Sequence, residues 1–133
     1  MEAAQTVIHL DTSFLIRAMQ PGSDEDRRWR QWVHAGEQLG VSAVAWAELL
    51  CGPVSDERSA ALAVLLEEPE SFNAAAAPVA ARLFNQTGRR RSSLPDCMIA
   101  ATAIQADATL ATSDITDFRR FEPLGLKLLK PAA

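Results

Sequence analysis

The sequence predicts an α/β domain with three layers, in which helices cover both faces of a short, mostly parallel central sheet. Short apolar runs of strand length alternate with longer segments that have the apolar spacing of helices. Parallel strands need a crossover between them, usually a helix, so this alternation favours a parallel sheet. With 48% hydrophobic and 23% charged residues, residues 1–133 have the size and composition of a single globular domain.

The first half of the chain supplies two predicted strands and four predicted helices. A strand ends at Asp11, and the Pro-Gly pair at 21–22 ends the helix that follows. The Gly-Pro pair at 52–53 stops a nearly all-apolar helix. The predicted bounds are a strand over 6–10, helices over 12–19 and 24–36, a strand over 38–43, and helices over 44–51 and 56–66.

The second half continues the alternation. Gly88 is placed to end an alanine-rich helix, and Pro95 is placed at the first position of a buried helix. The predicted elements are a brief strand over 71–73, a helix over 74–88, a basic loop over 89–93, a helix over 95–106, a strand over 108–112, a turn or short helix over 115–121 and a last strand over 126–129.

The bulk composition limits the classes of protein. With 13 basic and 17 acidic residues the formal charge is −4, whereas a protein that only grips nucleic acid is usually basic. No apolar run is long enough to span a bilayer, and residues 1–10 lack the pattern of a secretion signal. Cys51 and Cys97 are not at metal-motif spacing, so we expect two reduced core thiols in a cytoplasmic protein.

Two acidic residues follow predicted strands. Asp11 comes directly after the first strand, and Asp114 comes shortly after the fourth. In parallel sheets the ligand lies beyond the carboxyl ends of the strands, where these two side chains would meet. Each also has a structural alternative, because Asp is a good helix N-cap and a common turn residue. Thr12 or Ser13 could cap the first helix in place of Asp11.

Two further carboxylates lie in apolar surroundings. Glu48 is the only charged residue between Glu37 and Asp56, in a helix that is apolar on every side. We expect it to be buried, and a buried carboxylate is costly unless it is paired, protonated or bound to a metal. An arginine partner is the alternative. Asp96 opens a buried helix, and its alternative role is a favourable interaction with the helix N-terminus.

Together, the four carboxylates indicate a metal site. At one edge of the sheet they would repel one another unless a cation joined them. Oxygen ligands suit Mg²⁺ or Mn²⁺, which keep several waters free for a substrate. No pair of His or Cys residues has zinc spacing, so zinc is disfavoured.

Four segments resemble the PIN-domain nucleases, and most closely the VapC toxins of bacterial type II toxin–antitoxin pairs. The segments are IHLDTS at 8–13, VAWAELLCG at 44–52, LPDCMIAA at 94–101 and LATSDITDF at 110–118. Each segment is short, but their order and spacing over nearly the whole chain are specific in combination.

The resemblance implies a Mg²⁺- or Mn²⁺-dependent endoribonuclease. By this analogy Asp11 and Asp96 bind the metal directly, and Glu48 and Asp114 complete the cluster through water or a second ion. Whether Asp114 or its neighbour Asp117 completes the site stays open. The resemblance also implies a homodimer that a small antitoxin protein silences.

Other side chains are candidates for contact with RNA. Thr12 and Thr112 are placed to bind a metal-linked water or a phosphate, by the same analogy. Basic residues could form a rim around the acidic centre, although an ordinary solvated loop is the alternative. These residues are Arg89, Arg90 and Arg91 ahead of Asp96, and Arg119 and Arg120 after Asp114.

Aromatic residues and histidine are expected to be structural. Phe14, Trp29 and Trp32 could stack on bases, but such residues more often belong to a core or an interface. An antitoxin helix or a second subunit could dock on apolar surface near them. His9, within the first strand, is expected to be packed rather than catalytic.

Three other functions compete with the nuclease. A receiver-like signalling domain also has an acidic pocket, but the predicted strand at 71–73 lacks an Asp, and the only lysines are Lys127 and Lys130. A hydrolase with a serine nucleophile lacks the Gly-x-Ser-x-Gly elbow. A catalytically inactive relative that only binds a partner stays open.

Overall fold

A computed structural model describes residues 6–130, and its centre is a four-stranded sheet in which all strands are parallel. The strand order is β2-β1-β3-β4. The strands are β1 (Ile8–Leu10), β2 (Leu39–Gly40), β3 (Thr109–Ala111) and β4 (Lys127–Leu128). Ile8 pairs with Leu39 on one side and Thr109 on the other, so β1 and β3 are central neighbours. The predicted three-layer α/β/α class with a parallel sheet is confirmed.

Four helices follow in the first half of the chain. They are α1 (Thr12–Ala18), α2 (Asp24–His34), α3 (Ala43–Cys51) and α4 (Asp56–Leu65). A serine side chain accepts a hydrogen bond from the backbone N–H three residues later at the start of three of them, as an N-cap does. These caps are Ser23, Ser42 and Ser55.

The second half supplies α5 (Ala76–Gln86), α6 (Leu94–Gln105) and α7 (Ile115–Arg119), with 3₁₀ turns at Arg91–Ser93 and Glu122–Leu124. The helix α6 is the most deeply buried, because small residues such as Ala100 and Ala101 let its neighbours approach closely. Its first turn carries Asp96. The core therefore fixes the position and direction of a helix that carries a candidate site residue.

The predicted strand over 71–73 is wrong. The chain does run beside β2, but earlier: the N–H of Glu67 donates to Leu39 O at 2.8 Å, and the N–H of Glu70 donates to Val41 O at 2.8 Å. Only one isolated parallel bridge forms, between Ser42 and Glu70. The Asn73 side chain then accepts a hydrogen bond from the N–H of Ala76 and starts α5, which ends the extended segment.

The predicted strand over 38–43 is too long for a related reason. The Ser42 hydroxyl accepts from the N–H of Ala45 at 3.0 Å, so the chain has already turned into α3 where a strand was expected. The predicted basic loop contains one 3₁₀ turn, and the alternative of a short helix after β3 is the one that forms.

The two cysteines have different environments. Cys97 is buried, as expected, but Cys51 is exposed at the end of α3, so the prediction of two core thiols is wrong for Cys51. No helix in residues 6–130 combines the length and apolar character needed to cross a bilayer.

Candidate active site

Asp11 lies where β1 ends, next to the end of β3. Its side chain is only 4% exposed. Its Oδ2 accepts hydrogen bonds of 2.8 Å from the hydroxyls of Ser13 and Thr112. Although Asp11 occupies the N-cap position of α1, its side chain makes no capping hydrogen bond. The capping alternative is therefore wrong for this residue.

The hydroxyls of Ser13 and Thr112 tie the two strand ends together. The Thr112 hydroxyl also accepts from the N–H of Asp114 at 2.9 Å, and the Ser13 hydroxyl accepts from the N–H of Ser113 at 3.2 Å. The two hydroxyl oxygens are 3.2 Å apart. This network leaves the Asp11 carboxylate little rotational freedom. Sequence reasoning considered Ser13 only as a helix cap.

Glu48 reaches the same edge from α3, but it is exposed. The expectation of a buried carboxylate is wrong, because α3 runs along the surface and buries only Ala45 and Leu49. The hydroxyl of Thr12 lies 3.0 Å from Glu48 Oε1 and 3.1 Å from Ala45 O. No arginine pairs with Glu48 among the ion pairs of the described residues. Thr12 therefore contacts Glu48, whose charge acts on Asp96.

Asp96 faces these acids from the first turn of α6, with its side chain 28% exposed. Burial is the largest cause that raises its pKa, and with the charges of Asp11, Asp117 and Glu48 it brings the pKa from 3.8 to about 6. The Arg120 guanidinium opposes this rise, with Nη2 4.0 Å from Asp96 Oδ2. The N-terminus of α6 does not fully stabilise the charge of Asp96, because the net rise in its pKa disfavours the charged form.

Asp114 and Asp117 contribute from α7, and both are exposed. A hydrogen bond with Asp117 is the main cause that raises the pKa of Asp114; burial, the charge of Asp117 and the charge of Asp11 add to it. Asp117 also acts on Asp96. Both acids at the start of α7 therefore lie near the cluster, whereas the sequence left open which of the two completes the site.

These acids suit a divalent cation in chemistry and in charge. Their ligand atoms are carboxylate oxygens, which Mg²⁺ and Mn²⁺ prefer. The raised pKa values of Asp96 and Asp114 show that the protein alone does not neutralise the cluster. Within residues 6–130, no three acidic, histidine or cysteine side chains stand close enough to enclose an ion. The carboxylate oxygens are suitable ligands for the ion, but in this structure the side chains do not form a complete coordination shell.

The basic loop lies beside the site without touching its acids. Arg89, Arg90 and Arg91 are exposed, and the loop leads directly into α6. The Arg89 guanidinium donates to Asn85 and lies over the Phe84 ring at 5.8 Å. These contacts leave both the RNA-binding role and the solvated-loop alternative open.

The aromatic residues and His9 are largely structural. Phe14 is buried and stacks on Trp32 with ring centroids 5.3 Å apart, and Trp29 is buried as well. His9 is 4% exposed, and burial lowers its pKa to about 4. A neutral, enclosed imidazole agrees with the expected packing role.

The sequence model of the PIN-domain family matches residues 8–122. This range contains all four carboxylates that the sequence singled out. It also excludes the receiver-like alternative. Among curated proteins, none matches the chain.

Solved structures, among them a toxin–antitoxin complex, contain chains of the same fold. A toxin–antitoxin complex from Klebsiella pneumoniae matches with a TM-score of 0.74 and 20% identity, over 94% of this chain and 98% of that one. VapBC2 from Rickettsia felis, bound to a promoter DNA fragment, matches with a TM-score of 0.71 and 22% identity, over 93% and 98%. FitAcB from Neisseria gonorrhoeae matches with a TM-score of 0.69 and 20% identity, over 93% and 97%. The family match and the shared fold agree: this chain belongs to the PIN-domain family.

Proposed function

We propose that the protein is a Mg²⁺- or Mn²⁺-dependent endoribonuclease and the toxin of a type II toxin–antitoxin pair. The observation that carries the proposal is the convergence of carboxylates from four parts of the chain. The charges of Asp11, Glu48 and Asp117 act on Asp96, and those of Asp11 and Asp117 act on Asp114, so these acids lie near one another at the carboxyl ends of the strands. Acids whose pKa values are raised by one another's charge are typical of sites that bind a cation or a substrate.

Asp11 and Asp96 would hold the ion, and Glu48 and Asp114 would complete its surroundings. When bound, the ion lowers the pKa of a water molecule and offsets charge on the phosphate. Asp11 is preorganised for this role, because the hydroxyls of Ser13 and Thr112 already fix its carboxylate. Thr12 and Thr112 contact Glu48 and Asp11, and their oxygens would contact a water or a phosphate.

A proton must also leave the attacking water. The hydrogen-bonded pair of Asp114 and Asp117 is suited to accept it, because two adjoining carboxylates share a proton more readily than one isolated carboxylate. The products are a phosphate end and a hydroxyl end. The proton comes to rest on this pair and then passes to solvent.

The RNA backbone would approach over the basic loop. Arg89, Arg90 and Arg91 are exposed and adjoin the helix that carries Asp96, so they can contact phosphates outside the acidic centre. Neutralising all three should weaken RNA binding and flatten its salt dependence. Unchanged binding across a salt series would leave the loop with no role in recognition.

The nuclease activity is tested with purified protein and total cellular RNA, in Mg²⁺, Mn²⁺ or chelator, with cleavage ends mapped. Asp96→Asn keeps the side-chain volume but removes a ligand charge, so it should abolish cleavage. Asp107→Asn is the matched control, because Asp107 is exposed and pairs with Lys127 away from the cluster. Cleavage by Asp96→Asn at the wild-type rate would refute the assignment.

The toxin role rests on the fold shared with chains of toxin–antitoxin complexes. We expect a cytoplasmic homodimer that a small antitoxin covers. Expression of the wild-type chain should arrest bacterial growth, Asp96→Asn should not, and the product of an adjacent small gene should relieve the arrest. If the wild type and Asp96→Asn both bind the small gene's product and neither cleaves RNA, the protein is an inactive PIN-domain binding protein instead.

A further inference from the structure

Arg120 has an arrangement that the fold alone does not explain. Its side chain is only 23% exposed, yet its Nε is buried and has no hydrogen-bond partner. Its one ionic contact, Nη2 to Asp96 Oδ2, is 4.0 Å long, which exceeds hydrogen-bonding distance. A guanidinium carries five N–H donors, and buried donors are rarely left unpaired. The described part of the chain therefore lacks the acceptor that this group needs.

The position of Arg120 points its charge to the acidic cluster. Asp117 lies three residues after Asp114, the N-cap of α7, and three residues before Arg120, its C-cap, so it neighbours both along the helix. Phe118 and Phe121 are buried in the core. The guanidinium lies over the Phe121 ring at 4.8 Å. This stacking holds the cation next to the carboxylates.

Charge balance with Asp96 does not account for this arrangement. An arginine that serves a carboxylate usually forms short, paired N–H···O bonds. Arg120 makes no such bond, although Asp96 is its nearest acid. A planar group with open donors beside a site for phosphodiesters matches the geometry of a phosphate oxyanion.

We propose that Arg120 binds a non-bridging oxygen of the RNA phosphate that is cleaved. This inference rests on the proposed nuclease function and adds to it a protein cation at the reacting phosphate. Arg120 would neutralise charge that grows on the phosphate as water attacks. The exposed Arg89–Arg91 loop would contact phosphates farther along the strand.

The test compares Arg120→Met and Arg120→Lys with Arg82→Met. Methionine keeps the packing on Phe121 without the charge, and lysine keeps the charge without the planar donors. Arg82 is a matched control, because it is exposed and its guanidinium donates to Leu124 O at 3.0 Å, away from the acids. Arg120→Met should lower kcat/KM on a cleavable RNA about 100-fold and Arg120→Lys about tenfold. Arg82→Met should leave it unchanged.

A second measurement does not depend on catalysis. In chelator, a single-stranded uridine oligonucleotide is titrated into ¹⁵N-labelled protein while the arginine Nε–H signals are followed by NMR. The signal that is missing in Arg120→Lys should shift, and the Arg82 signal should not. Thermal unfolding shows whether each variant is folded.

The outcomes separate this inference from the proposed function. If the wild type cleaves RNA but Arg120→Met cleaves as fast, or the Arg120 signal ignores the oligonucleotide, the role of Arg120 is overturned and the nuclease stands. If the wild type cleaves no RNA under any ion but the Arg120 signal shifts, the nuclease is wrong and the phosphate site stands. If Arg120→Met binds Mg²⁺ more tightly and binds the oligonucleotide as well as the wild type, Arg120 only repels the metal ion and does not bind the phosphate.

Discussion

The two sides of the acidic cluster are built differently. On the strand side, Asp11 is almost fully buried, and the hydroxyls of Ser13 and Thr112 hold it. On the α7 side, Asp114 and Asp117 are exposed and hydrogen-bonded to each other, and the Nε of Arg120 has no hydrogen-bond partner. One side is fixed before any ligand arrives, whereas the other has charges that a ligand must satisfy. The fixed side is thus suited to define the ion position, and the α7 side to respond to substrate.

The largest effect should separate these two sides directly. Asp11→Asn should reduce RNA cleavage about 1,000-fold, because it removes a ligand charge from the preorganised side. Asp117→Asn should reduce cleavage only about tenfold, because Asp114 remains beside it. Initial rates at saturating Mg²⁺ measure both. Equal losses for the two variants would erase the distinction between a fixed and a responsive side.

A smaller effect should follow from loosening the fixed side without removing a charge. Thr112→Val deletes the hydroxyl that donates to Asp11 and accepts from the N–H of Asp114. We expect Mg²⁺ affinity to fall about 10- to 100-fold, and the free energy of unfolding to fall by about 1 to 3 kcal/mol. Thr116→Val is the control, because Thr116 is an exposed residue of α7. Calorimetric Mg²⁺ titration and urea unfolding give the two quantities, and an unchanged Mg²⁺ affinity would count against preorganisation.

The smallest effect concerns pH. The pKa of Asp96 is about 6 in the folded protein and 3.8 ordinarily, so folding favours its protonated form. Without divalent ions, this carboxyl therefore costs stability progressively as pH rises from about 4 to about 6, and fully above that. In chelator, we expect Asp96→Asn to gain stability relative to the wild type as pH rises. The difference between their free energies of unfolding should be about 1 to 3 kcal/mol larger at about pH 7.5 than at about pH 4.

Urea unfolding at both pH values checks this expectation. Saturating Mg²⁺ should reverse the order at the higher pH, because only the wild type keeps the ligand charge. If the difference in free energy of unfolding between the two proteins does not change with pH, the neighbours of Asp96 do not raise its pKa.

Part of the site could be predicted because its cause is local. A carboxylate that follows a strand closely lies at the ligand edge of a parallel sheet, so the positions of Asp11 and Asp114 at that edge could be predicted from the sequence. The burial of Glu48 was misjudged, because apolar neighbours along the chain do not reveal which side of α3 faces water. That side is decided by packing against distant elements.

The remainder depended on contacts that no local pattern encodes. Ser13 and Thr112 are 99 residues apart, and only the adjacency of β1 and β3 brings their hydroxyls together. The strand expected at 71–73 failed because Asn73 starts a helix instead. Arg120 was predicted only as one of several basic residues. That its Nε is buried without a hydrogen-bond partner follows only from the tertiary structure, in which the guanidinium packs on the Phe121 ring.

The hydrogen bond between Asp11 and Thr112 spans 101 residues and so bears on the timing of synthesis. During translation, Asp11 is made early, but the hydroxyl that orients it and the acids of α7 leave the ribosome much later. A nascent chain that lacks α7 therefore has an incomplete acidic cluster and no Arg120. Under the proposed function, the chain would be inactive until translation has passed α7, and an inhibitor would have that time to bind.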